Sequence, residues 1–248
     1  DRRRFDVVIV DEASQSGPEA LALLFLADKI VVVGDEKQIS PEPFTRVEDA
    51  NRLRSEYVSD LPTNDALSPQ NSFFDLAKMH YPNRIRLVEH FRCMPEIIQF
   101  SNELCYSPEP LLPLRQFGAG RLEPVVNSVF VQRGYTRGRN QKVNQPEATA
   151  VARKIAELLR DRRYDGKTFG VISLLGARQA KLITNELLSL VDSKELNARC
   201  LICGDAYDFQ GDERDIVFLS MVAASGPDSR IGVLAKASDE RRFNVAMS

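Results

Sequence analysis

Cysteine and histidine are scarce in these 248 residues, with four of the first and two of the second. Cys93, Cys105, Cys200 and Cys203 lie in apolar segments without the spacing of a disulfide framework, which points to a reducing compartment, the cytoplasm. Cys200 and Cys203 form a C-x-x-C, but "RCLICG" reads as a strand, no second cysteine pair follows, and both histidines lie far upstream. Reduced core thiols are therefore expected in place of a zinc site. Long apolar runs are missing too. "DRRRF" carries no signal-peptide core, and "LALLFLADKIVVVG" is broken by Asp28 and Lys29 before membrane-spanning length, so neither secretion nor membrane insertion is expected. Charge of one sign is not in excess: a net charge of −2 gives no global attraction to nucleic acid. That excludes a histone-like or coating role and confines any such partner to a local basic groove. Internal repeats and low-complexity tracts are absent.

What is present is the composition of a folded domain, 43% hydrophobic and 27% charged, in a length that suits one large domain or two modest ones. The opening reads as a strand (Phe5 to Val10), a helix (about Pro18 to Leu26) and a strand (Ile30 to Val33). Its near-continuous Val/Ile runs predict strands buried on both faces, as in a parallel sheet. From Glu42 to about Ser72 the chain turns polar around one amphipathic stretch, "VEDANRLRSEYV", with Val47, Ala50, Leu53 and Tyr57 on one helical face; this reads as an insertion. "IRLVEHF" predicts a strand and Pro95 the first turn of a helix, where its missing N–H costs nothing. "VVNSVFVQ" follows a Pro-rich loop. A helix from about Pro146 to Leu159 is announced by "NQPE", in which Asn144 and Glu147 have capping-box spacing. "FGVISLL", a helix ending near Val191, "CLICG" and "DIVFLSMV" continue an alternation that means an α/β domain, doubly wound.

Chemistry concentrates at strand ends. Asp11 and Glu12 close the first strand, where open α/β sheets place their ligands. Such a pair either holds magnesium and activates water or simply caps the next helix. A phosphate loop of the form G-x-x-x-x-G-K-[ST] is not found beside it. Gly166-Lys167-Thr168 is the one apparent candidate, but Asp161 stands in place of the first glycine and the tripeptide enters an apolar strand; a turn with an exposed lysine is expected. "VVVGDEKQISP" places Gln38 beyond a second buried strand, where a neutral amide can both donate to a γ-phosphate and accept from water. Arg92 precedes the Pro95 helix and suits either an arginine finger or an ion pair with Glu89 or Glu96. In "YDFQGDERDIVFLSMV", Phe209 reads as a buried anchor and Gly211 as a turn that lets backbone approach a ligand. "RGYTRGRNQK" is the one concentrated basic segment, with Arg133, Arg137, Arg139 and Lys142 around Tyr135, suited to phosphate contact and base stacking or to plain solvation.

Taken in order, "VIVDEASQ", "VVVGDEKQISP", "HFRCMPE", "FQGDERD" and "RRFNVAMS" resemble the consecutive second to sixth motifs of superfamily 1 helicases, in the branch that includes the nonsense-mediated-decay RNA helicase. The five span nearly the whole chain. More narrowly, the sequence is similar to the helicase segment of large bacterial AAA-type helicase proteins that often carry a C-terminal endonuclease-like domain. The resemblance implies a RecA-like P-loop NTPase fold: residues 1–80 as the C-terminal part of a first RecA-like domain, with the insertion at about 42–72, and 84–248 as a nearly complete second one. ATP would lie between the domains, with single-stranded DNA or RNA across both. It assigns Asp11 to Mg2+, Glu12 to the catalytic base, Gln38 to γ-phosphate sensing and Arg92 to the arginine finger. Gly211 and Glu213 fall in the nucleotide-linked fifth motif, and Pro41, Ser173, Gln179, Arg137 and Arg139 are candidates for the nucleic-acid track.

The resemblance also implies that the phosphate loop belongs to an earlier part of a longer parent chain, so a fragment inactive as an ATPase is expected. The sequence departs from the family at three places. It stops before the Arg-containing continuation of the sixth motif, Tyr207 stands at a common aspartate position, and Ser173-Leu174-Leu175 replaces a T-P-Y turn. The alternative function is a non-catalytic module that docks nucleic acid or protein, against which stands the joint retention of Asp11, Glu12, Gln38 and Arg92.

Overall fold

A computed structural model describes residues 4–40, 45–115, 118, 121–138, 142–225 and 236–248. They divide into two compact units, Asp1–Leu87 and Val88–Ser248.

In the first unit, β1 (Val8–Val10) pairs in parallel with β2 (Ile30–Val32), Val8 opposite Ile30 and Val10 opposite Val32. A 3-10 helix, Pro18–Phe25, connects them where an α-helix is expected, with Pro18 in its first turn. Val10, Ala13 and Phe73 form a small core with Ala20, Leu21 and Leu23 of the 3-10 helix and Val8, Ile30 and Val32 of the strands. The alternate residues tell a different story. Ile9 is 68% and Val31 47% exposed, so the expectation of strands buried on both faces fails here. Among the described residues the 3-10 helix and the helix that begins at Phe73 cover only the face carrying Val8 and Val10. The polar stretch holds α1 (Val47–Tyr57), which forms where the amphipathic pattern predicts but buries none of its residues. Next comes α2 (Phe73–His80), whose Ser72 and Asp75 make a reciprocal capping box, so two N-terminal N–H groups are satisfied locally. Its first turn is tied to the end of β1 by bonds from Phe73 N to Ser16 O (2.7 Å) and Phe74 N to Ala13 O (3.1 Å).

The second unit begins with β3 (Glu89–His90), much shorter than "IRLVEHF" predicts, because only these two residues find a parallel partner, in β4 (Leu112–Pro113). Between them lies α3 (Pro95–Leu104), with Pro95 in its first turn as expected. "VVNSVFVQ" joins no strand ladder among the described residues, and Phe130 is 87% exposed. From here the alternation is as read: α4 (Gln145–Leu158), β5 (Phe169–Ser173), α5 (Ala177–Leu190), α6 (Ser193–Ala198), β6 (Ile202–Asp205), β7 (Ile216–Ser220) and α7 (Ala237–Met247).

The sheet is parallel throughout, in the order β6-β5-β7. All five residues of β5 are buried, which is what a continuous apolar run means for a central strand flanked by helices. Ala148, Ala152 and Ile155 of α4 and Ile183 and Leu187 of α5 pack on Phe169 and Val171, and each of the two isoleucines and the leucine contributes roughly 1.5–3 kcal/mol by leaving water. On the opposite side Phe209, 5% exposed as an anchor should be, lies so close to Gly170 that a Cβ there would sit 2.6 Å from its ring. Farther along the chain, α7 packs its Phe243 against Phe100 of α3, ring centroids 6.3 Å apart.

Both units are thus α/β, with parallel strands flanked by helices, an arrangement consistent with a P-loop, RecA-like NTPase fold. Among the described residues no helix is long and apolar enough to cross a membrane.

Candidate nucleotide site

In the first unit the loops that follow β1 and β2, which carry the acidic pair and the amide, are joined to each other. Past the last ladder pair the strands stay bonded, Val33 N to Val10 O and Ala13 N to Val33 O, both 2.8 Å. Buried Ser14 then accepts from Asp35 N at 3.4 Å, so the loop after Glu12 and the turn before Gln38 touch. Gly34 permits that approach: a Cβ there would lie 2.9 Å from the Phe74 ring and 3.1 Å from Ser14 N. Asp35 builds the turn itself, accepting from Lys37 N (2.9 Å) and from Gln38 Nε2 (3.4 Å). Lys78 of α2 braces it from outside by hydrogen bonding Glu36 and Asp75. Burial works against the Lys78 charge, yet the bonds it donates to Glu36 and Asp75 prevail and raise its pKa.

The carboxylates are held differently. Asp11 is exposed; one oxygen accepts from Glu12 N at 2.8 Å, and the other has no hydrogen-bond partner among the described residues. Glu12 sits at φ +50°, the left-handed region that costs a non-glycine residue about 1 kcal/mol or more. Its Oε2 accepts from Gln15 Nε2 at 3.1 Å. Gln15 was not singled out from the sequence, although its i+3 spacing from Glu12 in a sharp turn is the available signal. The capping alternative for the pair fails: the N-cap of the following 3-10 helix is Gly17, with no side-chain cap, and Gly17 N donates to Glu19.

In the second unit, Arg92 pairs with Glu213, Nε to Oε2 3.2 Å, and not with Glu89 or Glu96. Glu96 is engaged by Arg121. The Arg92 turn is built by His90, whose Nε2 accepts from Cys93 N at 2.9 Å. Burial, then the Arg92 charge, holds His90 below the usual imidazole range, which keeps it the neutral acceptor this bond needs. Arg115 donates to the Arg92 carbonyl. Glu213 arrives through Gly211, at φ +76° with open space around the missing side chain, and Asp212, whose carboxylate accepts from Glu213 N at 2.8 Å.

Two assignments to the nucleic-acid track, Gln179 and Ser173, change. Gln179 is fully buried, its Oε1 accepting from Asn144 N (2.8 Å) and its Nε2 donating to Asn144 O and Ser220 Oγ (both 3.1 Å), so it braces the fold and offers no face to a strand. Ser173 is fully buried as well and donates to Gly176 O at 2.8 Å. The resemblance placed both on the track; their position on the inner side of β5 and α5 buries them. Arg137 is exposed, with its guanidinium 4.9 Å from the Tyr135 ring centre and its backbone bridged to Val143. Pro41 and Arg139 lie outside the described residues.

The capping box at α4 is half formed. Asn144 accepts from Glu147 N at 3.2 Å, but the Glu147 carboxylate turns to Met221 N (2.7 Å) and Val222 N (2.9 Å). There it holds Val222, fully buried, at φ +61°. Burial pushes the Glu147 pKa up against those two donors. Among the cysteines, Cys203 is half-buried in β6, whereas Cys200 is exposed at φ +47°, which corrects the reading of both as core thiols. Gly166 makes the expected turn at φ +72°; Lys167 is half-exposed and pairs with Asp215 at 3.3 Å. In α7, Arg242 donates to Leu174 O at 3.1 Å and so ties this helix to the end of β5.

Comparison with known proteins adds a lineage to this geometry. The chain is similar to an ATP-dependent helicase of Mycoplasma pneumoniae, the MG140 homologue, 29% identical over 267 residues that cover 100% of this chain and 22% of the relative. It is similar to the mouse 5'-3' DNA helicase ZGRF1 at 26% identity (99% of this chain, 12% of the relative) and to the human DNA replication ATP-dependent helicase/nuclease DNA2 at 25% (100% and 24%). The chain therefore spans between 12 and 24% of the length of these relatives. A family profile described as an AAA domain matches residues 69–248. The chain belongs to that AAA-domain family and is related to the helicases of superfamilies 1 and 2.

Proposed function

We propose that these residues are part of a superfamily 1 helicase or translocase of the nonsense-decay-helicase-like branch, which couples ATP hydrolysis to movement along single-stranded DNA or RNA. The observation that carries this reading is the joining of the Asp11–Glu12 strand end to the Asp35–Gln38 turn through Ser14 and Asp35. A non-catalytic docking module has no need of a strained glutamate beside a tethered amide.

The residues fit a magnesium nucleotide. Asp11 offers an exposed carboxylate oxygen, the hard ligand magnesium takes, and would hold the ion. Bound there, the metal supplies charge neutralisation on the phosphates. Glu12, kept in place by Gln15, accepts the proton of the attacking water at a carboxylate oxygen, a role worth about 10²–10⁴ in rate. Gln38 orients that water through its amide. Arg92 stabilises charge on the transferring phosphoryl group, an effect of about 10³–10⁵ where such fingers act. Exposed Arg137, stacked on Tyr135, supplies a phosphate contact to the nucleic-acid track. Residues 1–248 contain no G-x-x-x-x-G-K-[ST] loop, so they alone hydrolyse no ATP and act with the phosphate loop of the full-length protein. A nuclease domain in the same polypeptide, as in the helicase/nuclease names of its relatives, is part of the proposal.

The test is nucleic-acid-stimulated ATP hydrolysis by the full-length protein, wild type against Glu12→Gln. Stimulation that the substitution abolishes supports the motor; hydrolysis indifferent to Glu12 refutes it.

A further inference from the structure

Arg92 and Glu213 come from segments 121 residues apart in the sequence, and each has its backbone fixed independently of the other. The Arg92 carbonyl accepts from Arg115, and the next N–H in the chain, that of Cys93, is held by His90. On the other side Glu213 N donates to Asp212 Oδ1 at 2.8 Å and Glu213 O accepts from Arg214 at 2.7 Å. The two side chains remain to move, with 46% of Arg92 and 72% of Glu213 exposed to water. Asp212 adds negative charge on the same side: the hydrogen bond from Arg214 is the main reason its pKa is lowered, and the charge of Arg92 contributes.

An ion pair this exposed is weak, worth up to about fivefold in an equilibrium. A nucleotide phosphate carries more charge than a carboxylate and can accept both arms of a guanidinium, where Glu213 meets Arg92 at Nε, so it takes the arginine from the carboxylate. The pair is strong enough to select one Arg92 rotamer and weak enough for a phosphate to break.

We propose that Glu213 is a positioning residue that parks the Arg92 side chain in the nucleotide-free protein and releases it when a nucleotide phosphate arrives. This rests on the reading of Arg92 as a phosphate-facing group. It assigns Glu213 a role at the arginine and not at the nucleotide, and it makes the resting state of the site self-neutralised.

The experiment uses the full-length protein. Phenylglyoxal modifies free guanidinium groups, and peptide mass spectrometry reads the rate at Arg92 with Arg137 as an internal reference. Without nucleotide, Glu213→Gln is expected to raise the Arg92 rate about two- to fivefold and to leave the Arg137 rate unchanged. Magnesium with a non-hydrolysable ATP analogue, AMP-PNP, is expected to protect Arg92 in both proteins. Equilibrium titration should show the variant binding AMP-PNP up to about fivefold more tightly, since no carboxylate competes for the arginine.

Equal Arg92 rates in the two proteins would overturn the parked pair. Weaker AMP-PNP binding by the variant would overturn it as well, because Glu213 would then serve the nucleotide directly. A faster Arg92 rate in Glu213→Gln with no protection by AMP-PNP would leave the pair standing and refute the phosphate-facing reading beneath it. The two failures are therefore distinguishable. Glu213 is exposed and the substitution is isosteric, so unfolding does not obscure the result; an unchanged melting temperature checks this.

Discussion

The Gln179 side-chain amide and the Asn144 backbone exchange two hydrogen bonds, 2.8 Å inward to Oε1 and 3.1 Å outward from Nε2, in the dry interior of the second unit. Asn144 in turn caps α4, and Gln179 reaches on to Ser220 at the end of β7. One buried amide thus ties the starts of two helices to the sheet. Gln179→Met keeps the volume but leaves the Asn144 N–H without its acceptor, at a cost of about 1–3 kcal/mol. In a unit of this size that lowers the melting temperature by roughly 3–10 °C, measurable by calorimetry. A shift below 1 °C would show that the amide is dispensable.

Gly34→Ala tests the joint between the two strand-end loops. The new methyl would meet the Phe74 ring at 2.9 Å and the backbone of Ser14 at 3.1 Å, and backbone cannot turn aside as a side chain can. Loss of about 1–3 kcal/mol is expected from overpacking. Activity should fall with stability in the full-length protein, because the displaced loops carry Glu12 and Gln38. Normal hydrolysis at a normal melting temperature would contradict the described contact.

A pH dependence follows from His90. Its folded-state pKa is depressed, by burial first and by Arg92 second, so below the ordinary imidazole value of about 6.5 the unfolded chain binds more protons than the folded one. Stability from this group is complete above that pH and is lost as pH falls through the lower folded value, where the ring gains a proton and can no longer accept from Cys93 N. The melting temperature of the wild type should therefore decline more steeply between pH 7 and pH 5 than that of His90→Gln. Parallel declines would remove His90 from the account.

Arg137→Ala should weaken single-strand binding by the full-length protein and lower the slope of log affinity against log salt by about 0.7, the loss of one phosphate contact. Tyr135→Ala should weaken binding with the salt slope intact, since stacking carries no charge. Identical binding by both variants would place the track elsewhere.

The sequence pattern carried the second unit well and the first only in part. "FGVISLL" is apolar at consecutive positions, and β5 is indeed the central strand with both faces covered. The same kind of pattern in β1 and β2 describes strands whose Ile9 and Val31 face outward, because no described element covers that side. Pro95 and Asn144 marked their helix starts because capping is local chemistry. Glu147 was misread for the complementary reason: its partners lie 74 and 75 residues downstream, beyond the reach of any local spacing rule. Ser173 and Gln179 were placed on the track by resemblance alone, and only the packing of α5 on β5 reveals them as interior. The positions of Asp11 and Glu12 just past β1 were legible because the apolar run that marks the strand ends at Val10. The partner of Arg92 was not, because a tertiary ion pair leaves no periodic trace in sequence.

The most direct measurement is steady-state ATP hydrolysis by the full-length protein with no nucleic acid, with single-stranded DNA and with single-stranded RNA, in the wild type and in Glu12→Gln. The account predicts stimulation by at least one of the two polymers and a loss of about 10²–10⁴ in rate in the variant. Hydrolysis absent under all three conditions, or unchanged in Glu12→Gln, would contradict it.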